Sequence, residues 1–271
     1  MSKVLFFDID GTLIDYHGNM PASTKFALEQ AHDAGHQIVI CSGRARFQMA
    51  EELLSMSDGV IGCTGANVEA QGKTLYEHFM TKEILEQIIE VLNAASAKII
   101  LMSETTTIMN HDAYDYMLNK FAAEYGLKDK FHTILGNPVI TNEFDGFSDV
   151  KKVLYYDSAW DIQQLTKELG SICDVTASSF EKKEEDSGEI TCKGINKSYG
   201  MQKYIEFQNI PKEDTIAFGD GPNDMDMIEY AHIGVVMGNG RDELKKRADF
   251  ITKDIGEDGI YYAMKALHLI D

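Results

Sequence analysis

No apolar run in this chain approaches the ~18 residues needed to cross a membrane, and charge interrupts the opening MSKVLFFDIDG where a signal core would lie. Basic residues are scarce: 25 Lys and Arg stand against 44 Asp and Glu, a formal charge of −19. That balance argues against nucleic-acid and anionic-membrane partners. The four cysteines, Cys41, Cys63, Cys173 and Cys192, show no Cys-x-x-Cys spacing. They read as small buried strand residues in a reducing compartment, so the expected location is cytoplasmic and the sequon Asn196-Lys197-Ser198 is a chance match. The eight histidines form no ligand-spaced pair, and GNGRD and GDGPND lack the spacing of a Walker loop or a dinucleotide fingerprint. There is no internal repeat and no low-complexity linker.

What is present is an ordinary globular composition, 44% hydrophobic and 25% charged, over 271 residues, enough for one large domain or two modest ones. Strand-like runs alternate with helical patterns, the signature of an α/β fold with a parallel sheet. The first run, Val4 to Phe7, is apolar throughout and reads as a strand buried on both faces. It ends in Asp8-Ile9-Asp10-Gly11-Thr12. Alternation along an extended backbone puts Asp8 and Asp10 on one side, where two neighbouring acids suit divergent roles; an acidic turn is the plainer alternative. A second run, HQIVIC, ends in Ser42-Gly43-Arg44, a hydroxyl, free N–H groups and a cation suited to a phosphate oxygen, or simply a turn and helix cap. A third, Thr215 to Phe218, leads into Gly219-Asp220-Gly221 and a helix opened by Asn223 and Asp224. Lys197 lies at the start of another amphipathic helix, where the helix dipole disfavours a cation.

Between these segments the pattern changes. A core segment is expected over 1–81, including a hairpin turning at Gln71-Gly72-Lys73. An α+β insert is expected over 82–188: helix TKEILEQIIEVLNAA, strands KIILMS and TTTIMN, a helix from Asp112 to Tyr125, strand VKKVLYYD, a helix from Trp160 to Leu169 and strand CDVTAS. The charged FEKKEEDSGE reads as a solvated hairpin loop, and the core resumes over 189–271.

In order, Asp-x-Asp-Gly-Thr, Ser-Gly-Arg at a strand end, a lysine and Gly-Asp-x-x-Asn-Asp, the chain resembles the haloacid dehalogenase superfamily of phosphohydrolases, in its Cof-type branch with a type II, subtype B cap. One departure is Lys197-Ser198-Tyr199-Gly200, where that branch more often has Lys-Gly and a small residue. The resemblance implies a Rossmann-like parallel-sheet core carrying an inserted α+β cap. It implies an enzyme that hydrolyses a small phosphorylated metabolite through an aspartyl-phosphate, with Asp8 as nucleophile and Asp10 as acid and base. Mg²⁺ is the implied cofactor, held by Asp8, Asp220, the Asp10 carbonyl and, as a further or outer ligand, Asp224. Lys197, the Ser42 hydroxyl, the Ile9 and Gly43 N–H groups, Asn223 and Arg44 are the candidates for the phosphate. Two alternatives stay open: a phosphotransferase or mutase of the phosphomannomutase kind, and a phospho-accepting regulatory module. Substrate identity and oligomeric state are not legible.

Overall fold

A computed structural model describes residues 2–124, 135–177 and 186–271. In chain order its strands are β1 (Val4–Phe7), β2 (Gln37–Cys41), β3 (Gly59–Gly62), β4 (Asn67–Ala70), β5 (Lys73–Glu77), β6 (Lys98–Ser103), β7 (Thr107–Met109), β8 (Val139–Ile140), β9 (Val150–Tyr156), β10 (Cys173–Ala177), β11 (Gly188–Cys192), β12 (Thr215–Gly219), β13 (Ile233–Val236) and β14 (Phe250–Ile251). The α-helices are α1 (Ala22–Asp33), α2 (Glu51–Ser55), α3 (Lys82–Ala94), α4 (His111–Glu124), α5 (Ile162–Leu169), α6 (Lys197–Gln208), α7 (Met225–Tyr230), α8 (Asp242–Lys245) and α9 (Gly259–Ala266). The chain is α/β, with a parallel-sheet core. Contacts divide it into two compact units: residues up to Gly43 with Ala50–Tyr76 and Asn196–Asp271, and Arg44–Met49 with Glu77–Ile195.

The first unit is built on a sheet ordered β14-β13-β12-β1-β2-β3-β4-β5. The pairs from β14 through β3 are parallel, and β4 turns back antiparallel on β3. Buried on both faces, β1 carries Leu5, Phe6 and Phe7 with no exposed surface, which is why four apolar residues run without a polar break. Phe7 stacks on Phe218 of β12, ring centroids 4.5 Å apart, and Phe6 meets Tyr204 of α6 edge-on at 5.8 Å. Helix α1 buries Thr24, Ala27, Leu28 and Ala31, one face at helical spacing, and packs on α9. From β1 the chain builds outward through β2 to β3 on one side and from β12 to β14 on the other. The order therefore switches between β1 and β12, where open parallel sheets leave a crevice beyond their strand ends.

The second unit holds a sheet ordered β10-β11-β9-β6-β7-β8, antiparallel except for β7 on β8. Helix α3 buries Leu85, Ile88 and Leu92 and is capped by Thr81, whose side chain accepts from the Ile84 N–H. Lys152 and Glu189 pair at 2.7 Å, both nearly inaccessible.

The structure moves several expected boundaries. Residues 189–192 do not open the second core segment: with Gly188 they form β11, which pairs with β9 and β10 of the second unit. Met80 joins that unit too, its N–H donating to the Val150 carbonyl at 2.7 Å. The charged loop expected at 180–189 falls outside the described residues at 180–185, and its last two residues begin β11. Hairpin β4–β5 turns on Gln71-Gly72, with Lys73 already in strand. All four cysteines are buried and free, three in strands and Cys63 just past the end of β3.

His36 joins both ends of the first unit. Its Nδ1 accepts from the Lys3 N–H and its Nε2 lies 3.0 Å from the Leu269 carbonyl, so these partners fix a neutral ring with the proton on Nε2. Burial holds its pKa below the ordinary 6.5, against the Leu269 carbonyl that favours the charged ring. The unfolded chain thus binds the extra proton first. This contribution to stability is complete above about pH 6.5 and fades as pH falls through and below that value. Melting temperature followed from pH 7.5 to 5 should decline less in His36→Gln than in the wild type; parallel declines would exclude the role.

Candidate active site

At the carboxyl end of β1 the chain closes at once into a tight turn. The Ile9 carbonyl accepts the N–H groups of Leu13 and Ile14, both at 2.9 Å, and Ile9 itself is fully buried. Gly11 sits at φ +85°, and a Cβ there would lie 2.3 Å from the Asp220 Oδ2. Glycine is required both by the backbone and by the close approach of that carboxylate. The Gly11 carbonyl accepts from Asn239 Nδ2 at 2.8 Å, while Asn239 Oδ1 accepts the Ile255 N–H.

Three buried acids converge on this point. One carboxylate oxygen from each of Asp8, Asp220 and Asp224 lies within 4.8 Å of the other two. Lys197, the first residue of α6 and fully buried, donates from Nζ to Asp8 Oδ1 and to Asp224 Oδ1, each at 2.6 Å. The other oxygen of Asp224 accepts the N–H groups of Asp220 and Gly221 at 2.9 and 2.8 Å, which ties the turn after β12 to the lysine. Asp220 accepts from Thr12 Oγ1 at Oδ1 and from the Tyr16 hydroxyl at Oδ2, both at 3.0 Å.

A lysine at a helix N-terminus is compensated locally. Asn196 caps α6, its side chain accepting the Tyr199 N–H at 2.9 Å, and Asp226 accepts the Ser198 N–H at 2.6 Å. Gly200, the last residue of the stretch Lys197-Ser198-Tyr199-Gly200 that departs from the expected motif, packs so closely that a Cβ would meet Ile61 at 2.5 Å.

The electrostatics are unbalanced. Burial would depress Lys197, but Asp224 and Asp8 override it and hold the ammonium well above its ordinary range. Burial, together with Asp224, Asp220 and Asp10, drives Asp8 well upward despite Lys197. Burial and Asp224 push Asp220 up to about 7. Three carboxylates beside one ammonium form an all-oxygen, negatively charged donor set, the kind that fits a hard divalent cation.

Asp10 is half-buried and adds to the field on Asp8. Ser42, just past β2, is buried and held by its backbone: its N–H donates to Ile61 and its carbonyl accepts from Thr64. Gly43 follows it, half-buried, and Asn223 is buried in the short turn Pro222–Asp224, which precedes α7 rather than forming its first residues. Arg44 belongs to the second unit, where its Nη1 donates to the Gln48 carbonyl at 3.2 Å. Tyr16, Asn239 and Asp226 went unnoticed in the sequence. Asp226 follows the Asn-Asp pair closely enough to have drawn attention, whereas nothing marks a lone aromatic in DYHGN or an asparagine in GNGRD.

Comparisons with known proteins identify the family. A family described as haloacid dehalogenase-like hydrolase matches residues 5–264. The putative phosphatase YkrA of Bacillus subtilis is 30% identical, with 99% of each chain covered. The 5-amino-6-(5-phospho-D-ribitylamino)uracil phosphatase YwtE of the same organism is 26% identical, with 98% of each covered. Among solved structures, the HAD subclass IIB sugar phosphatase BT4131 superposes with a TM-score of 0.82 at 26% identity, covering 99% of this chain and 100% of that one. With its fold, its acid cluster and these likenesses in agreement, the chain belongs to the haloacid dehalogenase-like hydrolases and is an enzyme of their phosphatase and phosphotransferase kind.

Proposed function

We propose that this enzyme is a Mg²⁺-dependent phosphatase that hydrolyses a small phosphorylated metabolite through an aspartyl-phosphate on Asp8. The observation that carries the reading is Lys197 buried between Asp8 and Asp224 while three carboxylates crowd within 4.8 Å. So much buried negative charge is costly unless a cation joins it. The same charge would repel a phosphate monoester dianion.

The carboxylates of Asp8, Asp220 and Asp224 and the Asp10 carbonyl are the proposed ligands. Mg²⁺ bound there supplies positive charge to both the acids and the phosphoryl oxygens. Lys197 orients Asp8, which attacks phosphorus in line with the leaving oxygen. Asp10 gives its proton to that oxygen and afterwards takes one from the water that hydrolyses the acyl phosphate. The Ser42 hydroxyl, the N–H groups of Ile9 and Gly43, and Asn223 are assigned to the phosphoryl oxygens. Relatives named for a phosphoribitylamino-uracil and for pyridoxal phosphate, together with a sugar phosphatase neighbour, favour a metabolite-sized alkyl phosphate as substrate.

Asp8→Asn should keep the fold and abolish phosphate release, because an amide is a poor nucleophile. Steady turnover in a clean preparation of that variant would refute the assignment. Activity should vanish in excess chelator and return with Mg²⁺, whereas Ca²⁺, with its looser and longer coordination, should support it poorly. Full activity in chelator would contradict the metal requirement. Asp10→Asn should lower turnover of alkyl phosphates by about 10²–10⁴-fold. It should slow phosphorylation of Asp8 by p-nitrophenyl phosphate less, since that phenolate hardly needs an acid. Pre-steady-state product release measures both, and equal losses in the first step would make Asp10 an organiser rather than a proton donor.

A further inference from the structure

Asp220 is positioned differently from its two partners. Asp8 and Asp224 share the Lys197 ammonium, but the Asp220 side chain accepts from two neutral hydroxyls, Thr12 on Oδ1 and Tyr16 on Oδ2. Thr12 is fully buried within the turn after β1. Tyr16 is 37% exposed and reaches the carboxylate from a separate small loop. That loop is pinned by Asp15, whose Oδ1 accepts the N–H groups of His17 and Asn19 at 2.9 and 2.8 Å, while its own N–H donates to the Asn19 carbonyl. Burial opposes ionisation of Asp15, but these bonds hold its pKa below the ordinary value and keep the loop's anchor charged.

We propose that Tyr16 is a positioning residue for the divalent-cation site, its hydroxyl holding the Asp220 carboxylate in the orientation that ligates. This rests on the reading of Asp8, Asp220 and Asp224 as that site. Gly11 presents no Cβ to Asp220, so on that side no side chain restrains the carboxylate. Two hydroxyl donors fix both of its oxygens. Each oxygen has a second lone pair, so neither bond uses up its capacity to ligate. Because the donors are neutral, they leave the charge of Asp220 available, which a lysine or arginine in the same place would cancel.

The test uses Mn²⁺ alone as the probe, added to metal-free wild type, Tyr16→Phe, Tyr16→Leu and Asp220→Asn, with free Mn²⁺ read by electron paramagnetic resonance. Tyr16→Phe keeps the ring and loses only the hydroxyl. It should weaken Mn²⁺ by about 10-fold, the lower end for loss of a group that orients a metal ligand. The Mg²⁺ concentration for half-maximal turnover should rise by a similar factor, and turnover at saturating Mg²⁺ should fall by less than that factor. Asp220→Asn should bind Mn²⁺ far more weakly than either Tyr16 variant. If Tyr16→Phe binds as the wild type does while Asp220→Asn does not, the role of Tyr16 is refuted and the cation site stands. If Tyr16→Phe keeps its affinity and Tyr16→Leu loses it, the ring and not the hydroxyl acts, which also overturns the proposal. Wild-type affinity in Asp220→Asn would place the cation elsewhere and bring down both readings.

Discussion

The buried ammonium of Lys197 is the interaction on which the first unit's site depends. It joins Asp8, 189 residues away in the chain, to Asp224, 27 residues away, with both bonds at 2.6 Å. A charge with no exposed surface is tolerated only when it is paired and hydrogen-bonded. Removing one partner of such a pair typically costs about 3–5 kcal/mol, because the other is left buried and uncompensated. The same atom that orients the acids therefore also holds together the end of β1, the start of α6 and the turn after β12.

That arrangement is sound for stability and unfinished as electrostatics. Three buried carboxylates gather near one lysine that pairs with Asp8 and Asp224, and both Asp8 and Asp220 are driven upward, first by burial and then by neighbouring acids. The protein answers with neutral donors: the Thr12 and Tyr16 hydroxyls for Asp220, and the N–H groups of Asp220 and Gly221 for Asp224. Hydrogen bonds stabilise a carboxylate without cancelling its charge. The cluster keeps a deficit of positive charge in a place built to hold its geometry. Departures from local optimality of this kind are expected at functional sites.

Much of this was legible in the chain. Strand β1 was readable because burial on both faces permits only apolar residues there, and the acids after β1 and β12 stood out against the runs they end. Lys197 was readable only in combination, since alone it is a residue in the wrong place for a helix dipole. The boundaries of the insert were less legible. Nothing local distinguishes β11, with its sequence GEITC, from a core strand; its pairing with β9 and β10 is set by contacts distant in sequence. Tyr16 was missed for a similar reason. Its meaning lies in a bond to a carboxylate 204 residues away, and no periodicity or spacing encodes that.

The glycine of the first motif shows how the two strand ends constrain each other. From sequence, Gly11 reads as the residue that lets the chain turn, and its φ of +85° agrees. The tighter constraint comes from across the sheet, because Asp220 Oδ2 occupies the space where a Cβ would lie, 2.3 Å away. Strands β1 and β12 are neighbours at the point where the sheet order reverses, and there the loops after them diverge and leave room. Asp220 uses that room to approach Asp8, and only a residue without a side chain in the β1 turn lets it do so. Asn239 then holds the Gly11 carbonyl from the segment after β13, so the turn is braced from a third strand end. The closeness of these like charges is thus permitted by the backbone of the two turns, where a glycine leaves the space that the Asp220 carboxylate fills.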